Sequence, residues 1–136
     1  MRRKKLLDTY AILAWLQDEP SAAKVAAILE NASHGKVELL MCLVNLGELY
    51  YILRRSLTAI EVTALLDQIL DLPVRVIPVT EQLTWQAAEI KAANPLSYAD
   101  CFAVATARKE GASVVTGDPE FKRVEGMVEI EWIGGG

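Results

Sequence analysis

The sequence contains few of the side chains that bind zinc or act as nucleophiles, with one histidine and two cysteines among 136 residues. His34 lies in ENASHGK, a stretch typical of a loop, so neither a zinc site nor a histidine-activated nucleophile is favoured. Cys42 and Cys101 are isolated and stand in apolar surroundings. They predict buried thiols rather than a disulfide framework.

Long apolar runs are also missing from the sequence. Asp8 interrupts the apolar segment behind the basic run at residues 2–5, which would otherwise resemble a signal peptide. We therefore expect no membrane span and a cytoplasmic protein. The formal net charge of −4 argues against a protein that coats nucleic acid nonspecifically.

No repeat, low-complexity stretch or long linker divides the chain. We predict a single domain over residues 1–133 and a flexible glycine tail over residues 134–136. Strand patterns alternate with helix patterns along that domain. The predicted strands are residues 5–7, 37–41, 74–79, 113–116 and 128–132. The predicted helices are residues 10–17, 20–30, 46–55, 58–70, 80–92 and 97–109. This alternation predicts an α/β fold with a parallel sheet and helices on both of its faces.

Four acidic residues stand where predicted strands end or predicted helices begin. Asp8 follows the first strand directly, and Asp118 follows the fourth in VVTGDPEF, where Thr116 adds a hydroxyl. Glu48 and Asp100 fall in the predicted first turns of two apolar helices. Capping, turn formation or the helix dipole would explain any one of them. Because the carboxyl ends of parallel strands share one edge, we expect all four to lie close together.

Clustered carboxylates cannot all remain ionised cheaply, so either the pKa of one rises or a cation neutralises the group. Ligand sets made only of oxygen suit Mg²⁺ or Mn²⁺. Such an ion binds phosphate oxygens and lowers the pKa of a water for in-line attack. It also reverses the local charge, which lets an acidic site accept an anionic polymer. The pattern therefore indicates a metal-dependent nuclease.

The stretches LLDTYAILAWL, NLGELYYIL, YADCFAVATA and VVTGDPEF resemble, in this order, the motifs of the PIN domain family, and of its VapC-type toxin ribonucleases in particular. The resemblance extends over residues 5–132. It implies a three-layer α/β/α sandwich, a parallel sheet of four or five strands, and Mg²⁺- or Mn²⁺-dependent cleavage of RNA. It assigns the metal ligands and the catalytic acids to Asp8, Glu48, Asp100 and Asp118.

Within that set, the resemblance makes Asp8 and Asp100 the firmest metal ligands. It lets Thr116 hold a water or Asp118 through its hydroxyl. The sequence departs from the family at Tyr10, where Ser or Asn is more frequent, and this larger side chain could narrow the entrance to the site.

A VapC-type toxin implies a protein partner, a cognate VapB-like antitoxin. The stretch at residues 45–70 carries more apolar side chains than one sheet layer can cover, so part of it should be exposed in a lone monomer. Exposed apolar patches mark interfaces. We expect this region to bind an amphipathic helix of the antitoxin and to contribute to a homodimer.

Other interpretations remain open at this stage. A receiver domain would need an Asp after its middle strand, where this chain has Thr80 and Glu81. A haloacid-dehalogenase-type phosphatase would need a second Asp at position 10, which is Tyr. A PIN-domain RNA-processing nuclease outside toxin–antitoxin systems, or a non-catalytic PIN-like module that binds RNA or protein, is the main alternative.

Overall fold

The computed structural model describes residues 2–134, so the predicted glycine tail lies outside the described residues except for Gly134. The strands are β1 (Arg3–Leu7), β2 (Val37–Cys42), β3 (Val74–Ile77), β4 (Ser113–Thr116) and β5 (Ile130–Trp132). The helices are α1 (Thr9–Leu16), α2 (Ala22–Ser33), α3 (Leu43–Leu53), α4 (Ala59–Leu70), α5 (Glu81–Ala93) and α6 (Tyr98–Glu110). A 3-10 helix, Pro119–Val124, follows β4.

The five strands form one sheet in the order β3-β2-β1-β4-β5, and every neighbouring pair is parallel. β1 lies at the centre, between β2 and β4. The order reverses at β1, because the chain moves outward from it first through β2 and β3 and then through β4 and β5. Such a reversal opens a crevice at the carboxyl ends of the strands, where sites of open α/β sheets form.

Side chains of successive strand residues enter two separate cores, one on each face of the sheet. Leu6, Leu40 and Val114 pack with α5 and α6, whereas Leu7 and Val115 pack with α1 to α4. The predicted α/β/α sandwich with a parallel sheet is therefore confirmed. None of the helices within residues 2–134 is long and apolar enough to cross a membrane.

Local signals set most helix ends as predicted. Thr58 and Glu61 form a capping box at the start of α4, and Thr80 and Ser97 accept backbone N–H groups at the starts of α5 and α6. Gly111 ends α6 with a left-handed conformation, φ 69°, which glycine adopts without steric cost. Both cysteine thiols are free and buried, as predicted.

Several predicted boundaries were wrong. β1 begins at Arg3 rather than at residue 5, and α2 ends at Ser33 rather than at residue 30. α3 begins at Leu43 rather than near residue 46, so Glu48 lies in its second turn and not in its first. β3 ends at Ile77, directly before Pro78, which cannot donate to a strand ladder. β5 begins at Ile130 rather than at residue 128, because the 3-10 helix and a turn occupy the preceding residues.

The basic run lies away from the carboxyl edge of the sheet. Arg2, Arg3, Lys4 and Lys5 line a surface hollow at the amino end of β1, together with Glu110, Glu129 and Glu131. Lys5 forms an ion pair with Glu131, 2.6 Å between Nζ and Oε1. The basic side chains therefore stand opposite the edge on which Asp8 lies, and acidic neighbours offset part of their charge.

Candidate active site

A cleft of about 490 Å³ opens at the carboxyl edge of the sheet. All four predicted acids line it, and Glu120 adds a fifth carboxylate. The remaining lining residues are Thr9, Tyr10, Leu13, Ile52, Pro95 and Ser97. The structure therefore brings Asp8, Glu48, Asp100 and Asp118 together in one cleft. Thr116, the last residue of β4, does not line the cleft itself.

Asp8 is the most deeply buried acid of the cleft, with 2% of its surface exposed. It caps α1, because its Oδ1 accepts the Ala11 backbone N–H at 2.8 Å. Burial raises the pKa of its carboxyl to about 8, since the charged form loses its hydration. Hydrogen bonds from Thr116 and Ala11 lower that pKa, and the nearby charges of Asp100 and Asp118 raise it further. Without a cation, the protein therefore holds Asp8 largely protonated at neutral pH.

Asp100 stands in the first turn of α6, where its backbone N–H donates to Ser97 Oγ at 3.1 Å. Burial raises the pKa of its carboxyl to about 6, and a hydrogen bond from Ser97 lowers it in part. The charges of Asp118, Glu48 and Glu120 add to the increase. These couplings show that the five carboxylates share one electrostatic environment.

Asp118 and Thr116 are joined by a tight turn after β4. The Asp118 backbone N–H donates to Thr116 Oγ1 at 3.0 Å, and Asp118 Oδ1 accepts the Glu120 backbone N–H at 2.9 Å. Thr116 is fully buried, and its hydroxyl lowers the pKa of the Asp8 carboxyl. The Thr116 hydroxyl therefore holds the backbone of Asp118, one of the two roles predicted for it.

Glu48 reaches the cleft from the second turn of α3, where it is half-buried. Glu120, which sequence reasoning missed, lies two residues after Asp118 in the 3-10 helix. Its carboxylate also pairs with Arg123, 3.2 Å from Oε2 to Nε. The Asp-Pro pair at Asp118 and Pro119 is a helix-start signal that could have placed Glu120 at this edge.

Tyr10 forms part of the rim of the cleft, with 36% of its surface exposed. Its ring lies against Gly117, so closely that a Cβ built on Gly117 would come within 2.9 Å of Tyr10 Cζ. Any larger residue at position 117 would therefore force the ring of Tyr10 to shift. Tyr10 therefore lies at the cleft, and its narrowing of the entrance stays a prediction.

The donor set suits a hard divalent cation, because the groups facing the cleft are carboxylates and hydroxyls. Two of the carboxyls have pKa values raised by burial and by like charges, and a cation would relieve both effects. Within residues 2–134, no three acidic, histidine or cysteine side chains are grouped closely enough to hold a metal ion as they stand. This spacing is compatible with an ion held by one or two carboxylates and by water, because Mg²⁺ usually keeps several of its waters.

Comparisons with known proteins agree with the observed fold. A family model described as the PIN domain matches residues 5–127. A crystal structure of DNA-bound VapBC from Salmonella typhimurium matches with a TM-score of 0.74 at 22% identity, over 96% of this chain and 98% of that one. No curated protein sequence matches the chain significantly.

Two further solved structures resemble this one. VapBC2 from Rickettsia felis, bound to a DNA fragment from its promoter, has a TM-score of 0.73 at 21% identity, over 94% of this chain and 97% of that one. VapC20 from Mycobacterium tuberculosis, described as a sarcin-ricin loop cleaving toxin, has a TM-score of 0.67 at 23% identity. That match covers 87% of this chain and 92% of the other. At these identities the likeness concerns the fold.

Proposed function

The chain belongs to the PIN domain family, and from this premise we propose that it is a metal-dependent endoribonuclease, the toxin of a type II toxin–antitoxin pair. The observation that carries the proposal is the single cleft lined by Asp8, Glu48, Asp100 and Asp118. A structural role would not need so many carboxylates in one half-buried space, where each raises the cost of ionising the others.

Asp8 and Asp100 would hold Mg²⁺ or Mn²⁺ directly, and Glu48 and Asp118 would complete the site directly or through water. When bound, the cation supplies charge neutralisation at the scissile phosphate and a water of lowered pKa. The chain orients Asp8 through the Ala11 N–H, which donates to its Oδ1. Ser97 limits the pKa increase at Asp100 through its hydrogen bond and so favours the ionised form that a cation needs.

RNA is the substrate that this arrangement favours, and one relative of the same fold is described as a toxin that cleaves the sarcin-ricin loop. Lys and Arg side chains are absent from the lining of the cleft within the described residues. Attraction of a phosphate backbone to the cleft would therefore depend on the bound cation.

A protein partner is the second part of the proposal. Solved structures of similar fold include VapBC from Salmonella typhimurium and VapBC2 from Rickettsia felis. On α3 and α4, Tyr51, Ile60 and Leu70 are each more than half exposed, while Leu49 and Ile69 are buried. We expect an amphipathic antitoxin helix to cover part of this surface and a second copy of the chain to cover another part. An Arg of the antitoxin near Asp8 and Asp118 would compete with the cation.

Cleavage of single-stranded or loop RNA tests the catalytic proposal. The protein should cut RNA with Mg²⁺ or Mn²⁺ and stop in EDTA. Asp8→Asn and Asp100→Asn should each reduce the rate at least about 100-fold, equivalent to about 2.7 kcal/mol of lost transition-state stabilisation. Asp67→Asn is the matched control, because Asp67 is an exposed acid of α4 outside the cleft. Undiminished cleavage by both cleft variants would refute the assignment.

Co-expression with the product of the gene immediately upstream tests the partner proposal. The two proteins should co-purify, and the complex should cleave RNA more slowly than the free protein. A protein that stays monomeric, ignores that product and cleaves at full rate beside it would contradict this part of the proposal alone.

A further inference from the structure

Asn45 is a buried polar residue outside the lining of the cleft. It lies in the first turn of α3, its side chain has no exposed surface, and it stands one helical turn before Glu48. Its Nδ2 donates to the Ala99 backbone carbonyl at 3.2 Å, while no protein donor in the described residues reaches its Oδ1. Burying an acceptor without a donor is unfavourable, so packing alone does not explain an asparagine here.

The hydrogen bonds of Asn45 connect the starts of α1, α3 and α6, where Asp8, Glu48 and Asp100 lie. Ala99, which accepts from its side chain, directly precedes Asp100 in α6. The hydroxyl of Thr9, which directly follows Asp8, donates to the Asn45 backbone carbonyl at 3.2 Å. Both bonds join residues far apart in sequence, and both are at least partly buried. Asn45 is therefore the point at which the starts of α1, α3 and α6 are held together.

We propose that Asn45 is a positioning residue that fixes the helices carrying Asp8, Glu48 and Asp100 at the spacing a divalent cation requires. This inference rests on the proposed metal-dependent function. These three acids lie in, or directly before, three different helices, so their separation depends on how those helices pack. Partners that orient metal ligands without touching the ion affect affinity strongly when they are removed.

Mn²⁺ titration of the metal-free full chain by calorimetry tests the proposal without measuring cleavage. Asn45→Leu keeps a branched side chain but removes the donor and the orphaned acceptor. We expect its dissociation constant for Mn²⁺ to rise about tenfold. Its unfolding temperature in EDTA should stay close to that of the unaltered chain, because no unpaired polar atom remains buried at this position.

Two further variants keep the proposal testable if Asn45→Leu does not fold. Asn45→Ser removes the contact with Ala99 at smaller volume, and Thr9→Val removes the bond to the Asn45 carbonyl from the other side. Both should weaken Mn²⁺ binding, Thr9→Val by less. Thr106→Val is the matched control, because Thr106 is equally buried and donates to a carbonyl, that of Phe102, within α6 alone. It should bind Mn²⁺ within about twofold of the unaltered chain.

The outcomes separate this inference from the proposed function. If the unaltered chain binds neither Mn²⁺ nor Mg²⁺, the proposed function fails and the role of Asn45 fails with it. If the unaltered chain binds Mn²⁺ and the folded Asn45 variants bind it equally well, only the positioning role is overturned. An equal loss of affinity in Thr106→Val would also overturn it, because the effect would then be general loosening of the core.

Discussion

Replacement of Asp8 by Asn should stabilise the metal-free protein, and the gain should grow as the pH rises. The pKa of Asp8 is raised from 3.8 to about 8, chiefly by burial. The folded state therefore binds a proton more tightly than the unfolded state does. The stability that the protonated Asp8 contributes is fully present below the pKa of Asp8 in the unfolded chain. It is lost as the pH rises through the pKa of Asp8 in the folded protein. Asn cannot ionise, so the variant avoids this loss.

The magnitude follows from the two pKa values. Each pKa unit corresponds to about 1.4 kcal/mol, so the loss between about pH 5 and about pH 8 is on the order of 3–4 kcal/mol. For a domain of this size, that corresponds to a change of roughly 10 °C in unfolding temperature. Asn keeps the acceptor that bonds the Ala11 N–H, so the cap of α1 is preserved and does not offset the gain.

Thermal and urea unfolding in EDTA across this pH range would measure the effect. Asp67→Asn, which removes an exposed acid, controls for the change in net charge. Asp100→Asn should give a smaller gain that levels off above about pH 6, because burial raises the pKa of Asp100 only to about 6. Equal pH dependence in Asp8→Asn and the unaltered chain would refute the argument that buried, uncompensated charge at Asp8 destabilises the fold.

Two further predictions concern residues around the acids. Gly117→Ala should reduce stability by about 1 kcal/mol in urea unfolding, because the new Cβ displaces the ring of Tyr10. In a Tyr10→Ala background, the same Gly117→Ala change should cost much less. If Gly117→Ala costs the same free energy of unfolding in both backgrounds, the two positions do not interact. Ser97→Ala should cost about 1 kcal/mol through loss of the α6 cap. It should also raise the pKa of Asp100 further and shift half-maximal Mn²⁺ binding to higher pH, whereas an unshifted profile would contradict the role of this hydrogen bond.

The order of strands and helices could be predicted because local chemistry marks most of the boundaries. Thr58, Thr80 and Ser97 are polar caps before apolar helices, and Gly111 suits a helix end. The start of α3 carries no such mark. Cys42, its capping residue, makes no side-chain bond, and apolar residues run from β2 into the helix without interruption. The turn that contains Glu48 was therefore predicted wrongly.

The acids of the site could be predicted from the sequence because the rule that brings them together is topological. Strands in a parallel sheet end at one edge, so acids placed after β1 and β4 must be neighbours once those strands pair. The role of Asn45 could not be predicted in this way. Its partners lie 36 and 54 residues away, and nothing local indicates that Thr9 and Ala99 reach it.

Asp8 caps α1, but its charge and its burial indicate a second role that capping does not require. The cap of α1 needs only an acceptor for the Ala11 N–H. Thr80 and Ser97 supply such acceptors at α5 and α6 with neutral hydroxyls, which carry no charge to bury. At α1 the chain uses an ionisable acid in an almost fully buried position, at a folding cost that Asn would avoid. Capping accounts for the acceptor but not for the charge. A cation in the cleft would compensate that charge, which is why the excess cost at Asp8 supports a metal-binding role.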